Sequence, residues 1–354
     1  FGSSSPFVET VLQVAMRRGP APELDFSDED EENSVSTTWQ IDPSGTIRHK
    51  KTNVKVSSTE GLSIDGQEFK LSLKDIVIED ARLGAGAGGV VIKGRIRSSG
   101  VEVAIKTIKV DDKAKRDMLL SEIKGYQISQ SCPNYLVQCF GGFPQKSHHD
   151  VQVVLELMER GSLRDLLKKM DGQGVPLNHL SCIVFQMLMG LDHLHKHMML
   201  HRDIKPENVL HNSIGQVKLT DFGISKALDA ASVAQTCVGT QTYMSPERCS
   251  EDDYSFLSDI WSFGMVLYEL AVGKYPFKDV NSVPALFNAL MELPEPRLDA
   301  SAFPPDACEF LARSLSRPVE DRWNTEQLLA HEFCQAGRTE GAQDKFAQFL
   351  ATLP

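Results

Sequence analysis

His201-Arg202-Asp203-Ile204-Lys205-Pro206-Glu207-Asn208 is the stretch of this sequence that decides its fold, and Thr220-Asp221-Phe222-Gly223 follows it along the chain. Phosphoryl transfer requires a carboxylate at the acceptor hydroxyl, oxygen ligands for Mg²⁺ and a cation beside the γ-phosphate. Asp203 suits the first of these roles and Lys205 suits the last. The metal ligands are predicted to be Asn208 and Asp221.

A glycine-rich stretch with the spacing G-x-G-x-x-G-x-V precedes these motifs. Its residues are Leu83-Gly84-Ala85-Gly86-Ala87-Gly88-Gly89-Val90-Val91. Glycines allow a turn to pass close to phosphate groups, with backbone N–H groups facing them. A plain glycine turn is the alternative, and a dinucleotide-binding motif would need a helix directly afterwards. Because a strand-like run follows instead, the sequence favours a hairpin that covers the phosphates.

The apolar run Val103-Ala104-Ile105-Lys106 ends in a lysine that would be costly to bury without a partner. We interpret Lys106 as the residue that holds the α- and β-phosphates. The alternative is a lysine that extends from an edge strand into solvent. Glu122 lies in the helical stretch 117–130 and is predicted to pair with Lys106, whereas by itself it would fit a solvated helix face.

Composition and charge exclude several classes of protein. The 354 residues are 41 % hydrophobic and 24 % charged, as in ordinary globular proteins. A net charge of −11 disfavours nucleic-acid partners, and no apolar run is long enough to span a membrane. The seven cysteines are dispersed, without a Cys-x-x-Cys pair. They indicate reduced thiols and therefore a cytoplasmic protein, with the nucleus as a second location.

The pattern of residues changes along the chain. Residues 1–70 are rich in Ser, Thr, Asp and Glu, and are predicted to be a flexible regulatory segment, with a small hairpin around Pro43-Ser44-Gly45 as the alternative. Residues 71–158 contain strand-like runs and one helix, whereas residues 159–333 are mostly helical. This order predicts an α+β protein with two lobes and a ligand cleft between them. Residues 334–354 are a C-terminal extension, either a docking site for a partner protein or an amphipathic end helix.

From residue 73 to about 333, the chain resembles a eukaryotic protein kinase on the motifs quoted above. The resemblance implies the two-lobed protein kinase fold, a kinase domain over residues 71–333, and ATP and Mg²⁺ as cofactors. It implies hinge residues that bond adenine through their backbones, next to a gatekeeper, and these are Glu156, Met158 and Leu155. It implies an apolar sandwich around adenine formed by Val91, Ala104 and Leu210. It further implies a hydrophobic spine of Tyr126, Cys139, His201 and Phe222.

The same resemblance implies two contacts that support the catalytic stretch. Glu247, in Ser245-Pro246-Glu247, is expected to pair with Arg322. Asp259 is expected to hold the backbone of the His201-Arg202-Asp203 turn.

A closer resemblance is to MAP kinase kinases, and it rests on residues 221–225, 239–248 and 271–277. This family carries activating phosphosites in its activation loop, with a spacing that Ser232 and Thr236 match. The resemblance therefore implies a dual-specificity kinase that phosphorylates a downstream MAP kinase and is activated by an upstream MAP kinase kinase kinase. The alternatives are another serine/threonine kinase acting upstream in the cascade and a kinase-like scaffold without catalysis.

The N-terminal segment contains a basic pair, a spacer and two apolar residues. In MAP kinase kinases such segments dock on an acidic patch and an apolar groove of the MAP kinase. The residues that match are Arg17, Arg18, Leu24 and Phe26. A second basic cluster, Arg48-His49-Lys50-Lys51, is a weaker docking or nuclear-localisation candidate.

Overall fold

The computed structural model describes residues 39–42, 46–86, 89–145, 150–222, 242–249, 255–277 and 282–354. Its strands are β1 Trp39–Ile41, β2 Ile47–His49, β3 Val54–Ser57, β4 Gly61–Ile64, β5 Gln67–Phe69, β6 Ile76–Gly86, β7 Gly89–Ile96, β8 Glu102–Lys109, β9 Cys139–Pro144, β10 Asp150–Glu156, β11 Val209–His211 and β12 Val217–Leu219. Its helices are α1 Lys113–Ser129, α2 Leu163–Lys169, α3 Leu177–Lys196, α4 Pro246–Cys249, α5 Phe256–Val272, α6 Val283–Glu292, α7 Pro305–Ser314, α8 Thr325–Ala330, α9 Glu332–Ala336 and α10 Ala342–Thr352.

The N-terminal lobe is built on an antiparallel sheet with the strand order β6-β7-β8-β10-β9, and α1 packs against it. Both faces of β8 are buried, with Val103 and Ile105 on one side of the sheet and Ala104 on the other. The side chain of Asp112 caps α1 by accepting a hydrogen bond from the N–H of Lys115 at 2.8 Å. This sheet and helix carry the phosphate-binding candidates.

A second antiparallel sheet, β1 to β5 in sequential order, precedes the lobe and packs against β9 and α1. The prediction of a flexible segment up to residue 70 is therefore wrong for residues 46–70. Two short alternating runs, Val54-Lys55-Val56 and Leu62-Ser63-Ile64, bury their apolar residues. Gly61 allows the turn between them, because it has a φ of +83° and a Cβ there would lie 2.5 Å from the Phe69 carbonyl oxygen.

The hairpin alternative near residue 43 is confirmed, since β1 pairs with β2. Residues 1–38 lie outside the described residues, as do 43–45. The basic cluster at 48–51 begins within β2, where His49 is buried. That placement disfavours its use as an extended docking segment.

The C-terminal lobe is helical and is centred on α3 and α5. Helix α5 begins after Ser255 and ends at Gly273, whose φ of +77° makes a left-handed cap. The short β11–β12 hairpin lies between the two catalytic stretches and pairs Val209, the residue after Asn208, with Leu219. The predicted two-lobed α+β kinase fold is confirmed.

Residues 334–354 include α10, which packs on α3 through Phe346 and Phe349. An end helix is therefore present in this extension, and docking of an upstream kinase there stays a prediction. None of the helices in the described parts of the chain has the length and apolar character needed to cross a bilayer.

Candidate active site

The glycine-rich stretch is a hairpin formed by the end of β6 and the start of β7. Gly84 pairs with Val91, and Gly86 pairs with Gly89. Gly89 has a φ of +112°, and a Cβ there would lie 1.9 Å from the carbonyl oxygen of Thr107. Only glycine can therefore occupy this position. A strand follows the motif instead of a helix, which rules out the dinucleotide-binding alternative; Ala87 and Gly88 lie outside the described residues.

Lys106 is the centre of a buried charge cluster. Its Nζ lies 2.7 Å from Glu122 Oε1 on α1 and 2.7 Å from Asp221 Oδ1. The predicted Lys106–Glu122 pair is thus formed, and the edge-strand alternative is wrong because β8 lies inside the sheet. Tyr126 donates a further hydrogen bond to Glu122 Oε1 at 2.7 Å. Burial alone raises the pKa of Asp221, but the Lys106 ammonium, together with smaller contributions from His201 and Lys205, offsets this, so the pKa is lowered.

In the catalytic stretch, Asp203 lies within hydrogen-bonding distance of two other predicted side chains. Lys205 Nζ lies 2.7 Å from Asp203 Oδ2, and Asn208 Nδ2 donates to the same oxygen at 2.6 Å. Asn208 therefore keeps its amide oxygen for another partner. Burial raises the pKa of Asp203, and the Lys205 ammonium only partly opposes it. A fixed, largely buried carboxylate of this kind suits the positioning of an acceptor hydroxyl.

A buried aspartate fixes the backbone of the catalytic stretch. Asp259 on α5 accepts from the N–H of His201 at 2.9 Å and from the N–H of Arg202 at 2.8 Å, as predicted. Arg202 has a φ of +66°, a strained conformation for a residue with a side chain. The two bonds to Asp259 explain how this turn is maintained next to Asp203.

The predicted hydrophobic spine is assembled around Phe222. Its ring lies 5.4 Å from that of Tyr126 and 5.8 Å from that of His201, and Cys139 belongs to the same buried cluster. Gly125 of α1 faces Phe222, and a Cβ there would lie 2.2 Å from the Phe222 Cβ. The close approach of α1 to Phe222 therefore depends on glycine, a residue that the sequence did not single out.

The adenine candidates line the region where the two lobes meet. Leu155 and Met158 are each 5 % exposed and Ala104 is 9 % exposed, while Leu83 is 48 % exposed. Partly buried side chains pack beside them, and these are Val91 and Leu210. This mixture of buried and accessible apolar groups suits a planar ligand.

Glu156 differs in one respect from the prediction for the hinge. Its N–H donates to the Gln138 carbonyl at 2.9 Å, so only its own carbonyl is left for adenine. Its side chain accepts a hydrogen bond from Lys218 Nζ at 2.5 Å. Lys218 was not singled out from the sequence, although a lysine within the short apolar strand Val217-Lys218-Leu219 indicates a buried partner.

The predicted ion pair between Glu247 and Arg322, which supports the segment after the activation loop, is present. Arg322 Nη1 lies 2.7 Å from Glu247 Oε1, and its Nη2 lies 3.1 Å from Glu247 Oε2. Both side chains are largely buried. Ser258 also donates to Glu247 Oε1, at 2.8 Å.

Comparisons with known proteins agree with this geometry. The family model for the protein kinase domain matches residues 78–334. The chain is 38 % identical to Mitogen-activated protein kinase kinase 1 of Arabidopsis thaliana, covering 76 % of this chain and 77 % of that protein. It is 37 % identical to Mitogen-activated protein kinase kinase 1c of Physcomitrium patens, over 92 % and 94 % of the two chains. The chain belongs to the MAP kinase kinase family.

This MAP kinase kinase has a donor set that fits MgATP. Asp221 offers a carboxylate that is 30 % exposed, and Asn208 offers an amide oxygen. No group of three or more His, Cys, Asp or Glu side chains suited to a metal occurs in the described ranges. Mg²⁺ needs no such group, because it takes one or two protein ligands together with phosphate oxygens. When bound, the metal neutralises charge on the phosphates, while Lys106 and Lys205 provide the protein's own cations.

Two sets of predicted residues lie outside the described residues of this MAP kinase kinase. They are the phosphosites Ser232 and Thr236, and the docking residues Arg17, Arg18, Leu24 and Phe26.

Proposed function

We propose that this protein kinase uses MgATP to phosphorylate Thr and Tyr in the activation loop of a MAP kinase. The observation that carries the proposal is its similarity to MAP kinase kinases along most of both chains. The cluster of Lys106, Glu122 and Asp221 supports it, because a catalytically inactive scaffold has no need of this arrangement.

We propose in addition that phosphorylation of Ser232 and Thr236 by an upstream MAP kinase kinase kinase activates the enzyme. Two phosphates add roughly −3 to −4 charge to the loop at neutral pH. Arg202, beside Asp203, is a suitable partner for one of them. Ordering a loop costs on the order of 1 kcal/mol or more per residue, so a single ion pair is insufficient. Both phosphates, or one phosphate and substrate docking, are therefore required.

The N-terminal segment is proposed to dock the MAP kinase. Arg17 and Arg18 would supply charge and electrostatic steering, while Leu24 and Phe26 would supply buried apolar area. Alanine at all four positions should raise KM for an intact MAP kinase and leave KM for a short peptide unchanged. Equal KM values for the intact MAP kinase would refute docking by this segment.

The decisive experiment is phosphorylation of a panel of purified MAP kinases by the full chain, with sites mapped by mass spectrometry. The enzyme is first treated with an upstream kinase, and Asp203→Asn is the inactive control. Phosphate on both Thr and Tyr of one activation loop is expected. Phosphate on MAP kinase kinases and on no MAP kinase would favour the upstream-kinase alternative.

The activation switch is tested in the same assay. Ser232→Ala combined with Thr236→Ala should leave a folded protein that binds ATP and cannot be activated. Acidic replacements should give partial constitutive activity, because a carboxylate has less charge and fewer acceptor oxygens than a phosphate. Full activation of the double-alanine variant would show that these residues are not the switch.

A further inference from the structure

Arg164 joins four separate parts of the C-terminal lobe through one guanidinium group. It is the second residue of α2. Its Nε donates to Glu207 Oε1 at 2.7 Å and its Nη1 donates to Glu269 Oε1 at 2.6 Å. Its Nη2 contacts the hydroxyl of Tyr243, which itself donates to Glu269 Oε2 at 2.5 Å. All three guanidinium nitrogens are therefore engaged.

The charges in this cluster show why Arg164 is needed there. The side chain of Glu269 is 7 % exposed, so its carboxylate would be costly without a cationic partner. Glu207, with 45 % of its side chain exposed, is the more accessible carboxylate of the pair. Burial and the neighbouring Glu269 raise the pKa of Tyr243, so the phenol remains a hydrogen-bond donor. Among the described residues, Arg164 is the cation that contacts both carboxylates.

The cluster adjoins the place that an acceptor chain must reach. Glu207 is four residues beyond Asp203 in the same catalytic stretch, and it precedes Asn208. Tyr243 belongs to the segment that leads from the loop after Asp221 to α4. Its carbonyl accepts from Ser262 of α5 at 2.8 Å, and Arg164 links its hydroxyl to Glu207 of the catalytic stretch. Asn208 donates to Asp203 Oδ2 at 2.6 Å, so Glu207 is one residue away from a side chain that contacts Asp203 directly.

We infer that Arg164 is a specificity-determining residue for the acceptor chain. An acidic pair beside a peptide site would normally attract a lysine or arginine of the substrate. Here Arg164 fills that position from within the protein. The kinase consequently does not select acceptors through a basic residue at this position, and removal of Arg164 creates a site for a substrate guanidinium. The inference rests on kinase activity alone and does not require a MAP kinase as the acceptor.

The test measures binding of short peptides to the full chain with Mg²⁺ and a non-hydrolysable ATP analogue. Each labelled peptide has a central Thr in an Ala and Gly background, with one Arg placed at a different position. A matched peptide carries Gln in place of that Arg. Wild type should bind each pair with similar affinity. For Arg164→Ala, at least one Arg peptide should bind about tenfold more tightly than its Gln partner.

A second substitution separates this role from a merely structural one. Adding Glu207→Gln to Arg164→Ala should abolish the new preference, because the accessible carboxylate is gone. If Arg164→Ala shows no cooperative thermal transition, the binding experiment is done with Arg164→Gln. The same gain in affinity for an Arg peptide over its Gln partner is then expected. The inference is overturned if the folded variant gains no preference for arginine, or if neither peptide binds it. A Glu207-dependent arginine preference in wild type would also overturn it.

Discussion

The ammonium of Lys106 lies 2.7 Å from a carboxylate oxygen of Glu122, and these side chains are only 4 % and 5 % exposed. The contact joins β8 to α1 and orients the lysine toward Asp221. A buried cation of this kind is kept in place by its partners, because an unpaired charge in this position would be strongly destabilising. The pair is therefore a structural link, and it holds in place the cation that we assign to the phosphates.

Replacing Lys106 with Met should reduce kcat by orders of magnitude, because the cation for the phosphates is removed while the side-chain volume is kept. The folded state should persist, since protonation of Glu122 can relieve its loss of a partner. Steady-state kinetics and a thermal melt measure the two effects. Lys93→Met is the matched control, because Lys93 is a more exposed lysine on β7. Loss of the melting transition in Lys106→Met would indicate a structural role instead.

Asp203→Asn should lower kcat by several orders of magnitude and leave ATP affinity nearly unchanged, because we assign Asp203 to the acceptor hydroxyl and not to the nucleotide. Burial raises the pKa of Asp203, so its protonation begins at a higher pH than for an ordinary aspartate. Activity in wild type should therefore fall on the acid side as the carboxylate gains a proton. Kinetics from pH 5 to 8 and nucleotide titration provide the check, and substantial turnover by Asp203→Asn would refute the assignment.

Much of the active site could be predicted from the sequence because its residues lie in short motifs. Asp203 and Asn208 are five residues apart, so local geometry alone brings them together. The Arg164 cluster escaped prediction because Arg164, Glu207 and Glu269 come from distant parts of the chain. No local pattern marks such residues, and each alone suits a solvated surface.

The sheet formed by β1 to β5 was not predicted as a whole, for a different reason. Its strands are three or four residues long, and their polar residues dominate the composition of the segment. Short strands of this kind are stable only when they pair with one another and cover a neighbouring surface. That surface is supplied by β9 and α1, which lie far along the chain.

Glu247→Gln should destabilise the protein by about 3–5 kcal/mol at pH 7, because Arg322 would be left buried without a counter-charge. Burial alone would raise the pKa of Glu247. Arg322, together with hydrogen bonds from Ser258 and the backbone, offsets this and lowers the pKa below the ordinary value of 4.5. The stabilisation by this pair is therefore present above pH 4.5 and is lost as the pH falls through the lowered pKa.

Thermal melts of wild type and Glu247→Gln across pH 3.5 to 8 test this expectation. The difference in melting temperature between the two proteins should be constant above pH 6 and should become smaller in acid. Glu309→Gln is the control. Glu309 is 53 % exposed in its ion pair with Arg313, so this substitution should change the melting temperature only slightly. A difference that does not depend on pH would contradict the assignment.

The sheet of β1 to β5 should stabilise the N-terminal lobe, which carries Lys106 and Glu122. Leu62 of β4 is 1 % exposed, and its side chain lies against β9, where a Cβ on Gly142 would be 3.5 Å from the Leu62 Cβ. Leu62→Ala should therefore cost about 2–5 kcal/mol through lost burial and the cavity that remains. Leu73→Ala makes the same change at a site that is 37 % exposed, and should cost much less.

Activity should respond as well, because α1 contacts β4 and carries Glu122, the partner of Lys106. When the sheet is loosened, α1 loses part of its support, and the Lys106–Glu122 pair should form less often. We therefore expect a lower kcat for Leu62→Ala than for Leu73→Ala at a temperature where both proteins are folded. Melting curves and kinetics on one acceptor measure both effects. If the two variants have the same melting temperature and the same kcat, the sheet of β1 to β5 does not support the N-terminal lobe.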